Sequence, residues 1–104
     1  MARKPLAGPA TDPELLILLS LAEGPKHGYA ILTDIEEFAD HTLGAGTLYT
    51  AITRLVEKGW IAAEPAEGRQ RPYRITAEGA AVLEGQLAQM QRVMRVGQKR
   101  LRTA

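Results

Sequence analysis

Residues 15–22 are apolar at every position except Ser20. A helix that is apolar all round has no face to leave in water and must be enclosed by other elements. That demand constrains the fold more than any other feature, because the 104 residues must supply partners on every side of one short helix. A chain of this length makes one domain with one modest core. Punctuation frames the run. Thr11-Asp12-Pro13-Glu14 reads as a capping box, with Thr11 as N-cap and Glu14 three residues later, and Gly24-Pro25 is a stop. Eight residues are far too few to cross a bilayer, and no signal-peptide pattern precedes them. The sequence has no Cys, which excludes a disulfide framework, an Fe–S cluster and a zinc finger. The expectation is a soluble, cytoplasmic protein.

Downstream, periodicity predicts a second helix from about Gly28, with Ile31, Leu32, Ile35, Phe38 and Ala39 on one arc and Thr33, Asp34, Glu36 and Glu37 on the other. A connection containing two glycines follows. A third helix is predicted over residues 45–58, ended by Gly59 at C′. Residues 60–64 and 73–76 read as two strands of a hairpin, with Pro65, Gly68 and Pro72 in a long tip. Thr76 then caps a final helix reaching about Arg102, with fraying expected because Gly85 and Gly97 each cost about 1 kcal/mol. Three helices, two strands and a helix make a mainly α (α+β) chain of winged helix-turn-helix type. Its expected parts are a mobile arm (residues 1–10), a winged-helix unit (11–76) with a two-stranded β-wing, and a C-terminal dimerisation helix (77–104).

The third helix carries the chemistry. Leu48, Ala51, Ile52, Leu55 and Val56 fill one arc of about 140°, wide enough to dock on a core. Thr47, Tyr49, Thr50, Thr53, Arg54, Glu57 and Lys58 fill the rest. Hydroxyl and guanidinium groups reach phosphate oxygens and base edges, and a helix of this size fits the major groove of B-DNA. The hairpin tip adds Arg69 and Arg71; on an extended backbone both point to one side, toward a minor groove or a sugar-phosphate edge. Charge is distributed in the same sense. Residues 1–52 carry three Lys/Arg against seven Asp/Glu (net −4), and residues 53–104 carry ten against five (net +5). A solvated face and a charged edge against strand pairing are the plainer readings of these charges.

In the final helix, Leu83, Leu87, Met90, Met94 and Leu101 follow spacings of four, three, four and seven, an a/d seam over about three heptads. A domain this small offers little core so far from its first helix, so the seam predicts packing between two subunits.

Four stretches of the chain resemble the PadR-like family of winged-helix transcriptional regulators: Gly24-Pro25-Lys26-His27-Gly28-Tyr29, Gly46-Thr47-Leu48-Tyr49, Arg54-Leu55 with Lys58-Gly59, and Tyr73-Arg74-Ile75-Thr76-Ala77-Glu78-Gly79. They span residues 15–83 in the family's order. The resemblance implies a homodimer in which the first helix (Leu15, Leu18) joins the last (Leu83, Leu87, Met90, Met94, Leu101). It further implies one recognition helix and one wing per subunit, and repression of a neighbouring gene, often relieved by a small-molecule effector. Gly44-Ala45-Gly46 stands where many members have Ser-Pro-Gly, and the single tail helix matches the short-tailed subgroup. That helix lacks the aromatic residues with which some relatives hold flat ligands.

The expected partner is double-stranded DNA carrying a near-palindromic operator. Thr47, Tyr49, Thr50, Thr53 and Arg54 face the major groove, Arg69 and Arg71 the flanking backbone or minor groove, and Tyr29 and His27 touch phosphate from the start of the second helix. The alternative is a winged helix used only for protein–protein contact. No catalytic residue, cofactor or metal is expected: His27 and His41 have no Cys partner and no carboxylate at a catalytic spacing. No phosphate-cradling glycine loop is present either.

Overall fold

The computed structural model describes residues 11–103; the arm expected at residues 1–10 lies outside them. In chain order the elements are α1 (Pro13–Leu21), β1 (Lys26–His27), α2 (Gly28–Ala39), α3 (Ala45–Lys58), β2 (Ile61–Ala63), β3 (Pro72–Ile75) and α4 (Ala77–Thr103). The N-cap of α1 is Asp12, not Thr11. Its carboxylate accepts the Glu14 N–H at 3.4 Å. Pro13 explains the shift by one: its fixed φ suits the first helical position, so the residue before it becomes the cap.

As its composition requires, α1 is enclosed. Leu15, Leu16, Ile17, Leu18, Ser20 and Leu21 are buried, and α2, α3, α4 and β3 all pack on it. From α2 come Ile31 and Ile35, and from α3 Leu48, Ala51, Ile52 and Leu55. Two residues expected inside lie at the rim instead, Phe38 at 47% and Val56 at 40% exposure. Each sits at the edge of its helix's apolar arc. Leu43, in what the sequence presents as a plain connection, is buried in their stead.

A Schellman-type end closes α3. Gly59 has φ 79°, its N–H donates to the Val56 carbonyl at 3.0 Å, and the Trp60 N–H donates to that of Leu55 at 3.0 Å. Immediately after, β2 pairs antiparallel with β3 through Ile61↔Ile75, Ala62↔Arg74 and Ala63↔Tyr73. The sheet has three strands rather than two, in the order β1-β3-β2, because β1 pairs with the far side of β3 at Lys26↔Tyr73 and His27↔Pro72. The hairpin closes through a two-residue turn, Gly68-Arg69, with the Glu67 N–H donating to the Gln70 carbonyl at 2.7 Å.

Thr76 welds the winged unit to α4. Its N–H donates to the Trp60 carbonyl (3.0 Å), its hydroxyl donates to the Gly59 carbonyl (2.7 Å), and the same oxygen accepts the Gly79 N–H (3.0 Å). The helix passes so close to Trp60 that a Cβ on Gly79 would lie 2.8 Å from the Trp60 carbonyl carbon and nearer still to its oxygen. Leu83 is buried in the core and Met90 packs against its edge, whereas every residue from 91 to 103 is exposed. In the structure α4 is helical through Thr103.

Gly79 and Gly85 of α4 therefore respond oppositely to a methyl group. Gly79→Ala pushes α4 off Trp60 and costs about 2 kcal/mol or more. Gly85→Ala meets nothing within 4 Å and stabilises by up to about 1 kcal/mol through helix propensity. Urea denaturation of the two variants should move the midpoint in opposite directions.

Candidate nucleic-acid interface

The outer face of α3 is bounded on both sides by the amino ends of other helices. On one side Tyr49 crosses to α2, its hydroxyl resting over Gly28; a Cβ there would meet the hydroxyl at once and the ring carbon bearing it at 2.9 Å. Glycine at this position leaves the Tyr49 ring its place over the start of α2; a side chain there would displace it. On the other side, Asp12, Pro13 and Glu14 at the start of α1 and Gly46, Thr47, Thr50 and Arg54 of α3 line an open groove of about 500 Å³. Two carboxylates thus stand on the flank of α3 that holds Arg54.

Neither α2 nor α3 has a side chain capping its amino end. The N-cap residues are His27 and Gly44, and neither makes a side-chain cap hydrogen bond. Helix N–H groups left open in this way, at the positive end of the helix dipole, favour an anion.

Of the residues read from sequence as facing nucleic acid, Thr47, Tyr49, Thr50, Thr53, Arg54, Arg69, Arg71 and Tyr29 are exposed, and His27 is half-buried. Tyr29, at 74%, is among the most exposed large side chains. The Thr53 hydroxyl donates to the Tyr49 carbonyl at 2.9 Å. Its proton is therefore committed to its own helix, and the group offers lone pairs and a methyl outward. Lys58, on the same outward arc, is also committed: its ammonium lies 2.6 Å from Glu14 Oε1 and 4.5 Å from the Trp60 ring centroid.

The wing differs from the expectation in one respect. Arg69 is a central residue of the turn rather than part of an extended strand, so strand alternation with Arg71 does not set its direction. Both guanidiniums project from an exposed tip. Strand β1, absent from the sequence reading, joins this wing to the rest. It pairs with β3 just below the tip and runs straight into the amino end of α2, where Tyr49 arrives from α3. Wing, α2 start and α3 face form one continuous surface.

The tail residues divide. Leu15 and Leu18 retain 4% and 1% of their surface and Leu83 retains 5%, all used within the single chain. This corrects their assignment to an intersubunit seam: the core that encloses α1 leaves them no area for a partner. Met90 is half-buried, while Leu87, Met94 and Leu101 are exposed, together with Val93 and Val96. Among the described residues no group of three or more His, Cys, Asp or Glu could hold a metal ion, and no helix is long and apolar enough to cross a membrane.

The model of the transcriptional regulator PadR-like family matches residues 17–85. An uncharacterized 37.1 kDa protein in transposon TN4556 of Streptomyces fradiae is 43% identical over 82 residues, 79% of this chain, and the chain spans 24% of that relative's length. A transcriptional regulator from Clostridium thermocellum has a similar structure at TM-score 0.74 and 31% identity, over 84% of this chain and 87% of that one. Bacillus subtilis PadR in complex with operator DNA shares the fold at TM-score 0.64 and 22% identity, over 71% of this chain and 45% of that one. A match over two-thirds of the chain, on a winged-helix structure, leaves one assignment: this chain belongs to the PadR-like family of transcriptional regulators.

Proposed function

We propose that the protein is a sequence-specific DNA-binding regulator that acts as a homodimeric repressor of a nearby gene. The observation that carries the reading is the continuous surface made by the wing, the start of α2 and the outer face of α3. In this reading Thr47, Tyr49, Thr50, Thr53 and Arg54 lie in the major groove. His27 and Tyr29 bring the open amino end of α2 to a phosphate, and Arg69 and Arg71 hold the flanking backbone or minor groove. Residues 11–76 are the DNA-binding unit and residues 77–104 the dimerisation helix. Leu87, Met94 and Leu101, with the rim of Met90, join the subunits, and a small-molecule effector acting at that junction relieves repression. Two-fold symmetry sets the recognition helices about 34 Å apart, which requires a near-palindromic operator.

Fluorescence anisotropy on duplexes retained by the purified protein tests the DNA roles. If a dimer neutralises about eight phosphates, log K falls with log salt at a slope near −7. Arg69→Ala should weaken binding alike on all sequences and flatten the slope by about 1 per site lost, whereas Thr50→Ala and Thr53→Ala should change base preference. Equal effects of the three variants would contradict the division of roles. Absence of any duplex affinity at low salt would favour a protein–protein module.

The dimer has its own test. Met94→Glu places a charge in the seam and should shift the sedimentation mass from two copies to one at micromolar concentration. Because Met94 is already half-exposed in the single chain, the thermal unfolding of the separated subunits should show no added core defect.

A further inference from the structure

The sequence features absorbed by the DNA-binding surface leave one cluster unused. Ser20, on the last turn of α1, is fully buried, and its hydroxyl donates to Asp34 Oδ2 of α2 at 2.7 Å. The Lys26 ammonium, only 15% exposed, donates to the Ser20 carbonyl. It also lies 2.8 Å from Glu23 Oε1 and 3.8 Å from the same Asp34 oxygen. Lys26 is half of the two-residue strand β1, whose other side is the wing strand β3.

We propose that Lys26 is a positioning residue for DNA binding, anchoring β1, and through β1 the wing, to the carboxy end of α1. The last turn of α1 contains no basic residue. Backbone N–H groups reach the carbonyls of Leu18, Leu19 and Leu21, and the Ser20 carbonyl is left to Lys26, at a helix carboxy end that favours a cation. Lys26 supplies that cation from the sheet. Two residues of ladder are too few to fix a strand; the ammonium supplies the missing constraint by holding β1 to the Ser20 carbonyl of α1, to Glu23 in the turn that follows and, at longer range, to Asp34 of α2. The tip that carries Arg69 and Arg71 stands directly above the β1–β3 pairing, since the Glu64 N–H donates to the Pro72 carbonyl (2.8 Å) next to His27↔Pro72. Released from α1, β1 leaves that upper half of the wing with one neighbour instead of two. Asp34, its side chain 27% exposed, places a carboxylate 3.8 Å from the ammonium and so favours a cation at this point.

The inference rests on the reading that the wing touches DNA, and its test separates the two. In the full chain, Lys26→Met should keep its helical circular dichroism while amide exchange in the free protein quickens about tenfold or more at Glu64, Glu67 and Gln70. The Thr76 amide, bonded to Trp60 at the base of the hairpin, should keep its rate. On DNA, Arg69→Ala should weaken the parent several-fold but cost less than about twofold in the Lys26→Met background. Lys26→Arg should behave like the parent in both measurements. Unchanged exchange at the three amides, or an undiminished Arg69→Ala penalty, overturns the proposal; simple loss of stability would produce neither expected pattern. A parent that binds no duplex refutes the DNA reading, and the exchange measurement then decides this proposal by itself. If Lys26→Met does not fold, Lys26→Gln replaces it. That variant also removes the ammonium that reaches Ser20, Glu23 and Asp34 and carries the same expectations.

Discussion

Enclosure of α1 is the constraint on which the rest of the molecule depends. A nine-residue helix with Leu, Ile or Ser at every buried position leaves only Pro13, Glu14 and Leu19 partly exposed, and its burial fixes where everything else goes. With α2, α3, α4 and β3 packed on it, each neighbour has one face inward and one face free. The free face of α3 carries hydroxyls and Arg54; the free face of α4 carries the Leu87–Met94–Leu101 seam. One buried helix thus separates the surface read as contacting DNA from the surface read as contacting a second subunit. Burial of a Leu or Ile side chain contributes about 1.5–3 kcal/mol, so the exposed functional faces rest on a core that does not involve them.

Elements defined by local chemistry were legible in the sequence. The third helix has a clean 3.6-residue period and a glycine at its left-handed end, and both its limits appear as read. Thr76 was legible as a cap because a hydroxyl before an apolar run has few other roles. Elements defined by distant partners were not. Strand β1 is two residues between Pro25 and Gly28, with no alternation to detect; it exists only because Tyr73 and Pro72 pass beside it. Leu43 looked like loop because a lone apolar residue has no period. Leu15 and Leu18 illustrate the opposite failure. Their apolar character was plain, yet one sequence cannot say whether such a residue is covered by its own chain or by another.

For the interface, residue type was legible and residue commitment was not. Nothing in the sequence indicates that the Thr53 hydroxyl is bonded to its own helix, or that Lys58 is held between Glu14 and Trp60. These commitments reshape the electrostatics of α3. Lys58 is neutralised in place, leaving Arg54 as the strong cation of that face, beside Asp12 and Glu14 across the groove. Carboxylates beside a guanidinium offset part of its charge and weaken its pull on phosphate. In the proposed reading, Arg54 then serves base contact more than diffuse attraction, and the diffuse attraction belongs to Arg69 and Arg71 of the wing.

The tail obeys a different logic from the core. Residues 91–103 extend about 20 Å as an exposed helix. Gly97 burdens this segment, and an isolated helix of thirteen residues is marginal in water. Val93, Met94, Val96 and Leu101 are all exposed on it, Leu101 at 79%. Helical order in such a segment is stabilised when those side chains are covered, and a second copy brings the same unsatisfied seam to a two-fold contact. Arg92, Arg95, Lys99 and Arg102 run down the side of the helix away from that seam, where they stay solvated while the apolar side closes. In the proposed dimer the tail therefore needs no contact with the winged unit beyond Met90. It connects to the surface read as contacting DNA through the weld at Thr76, Trp60 and Gly79 and through its packing on α1, so any change in how two tails pair must reach the wings by one of these two routes.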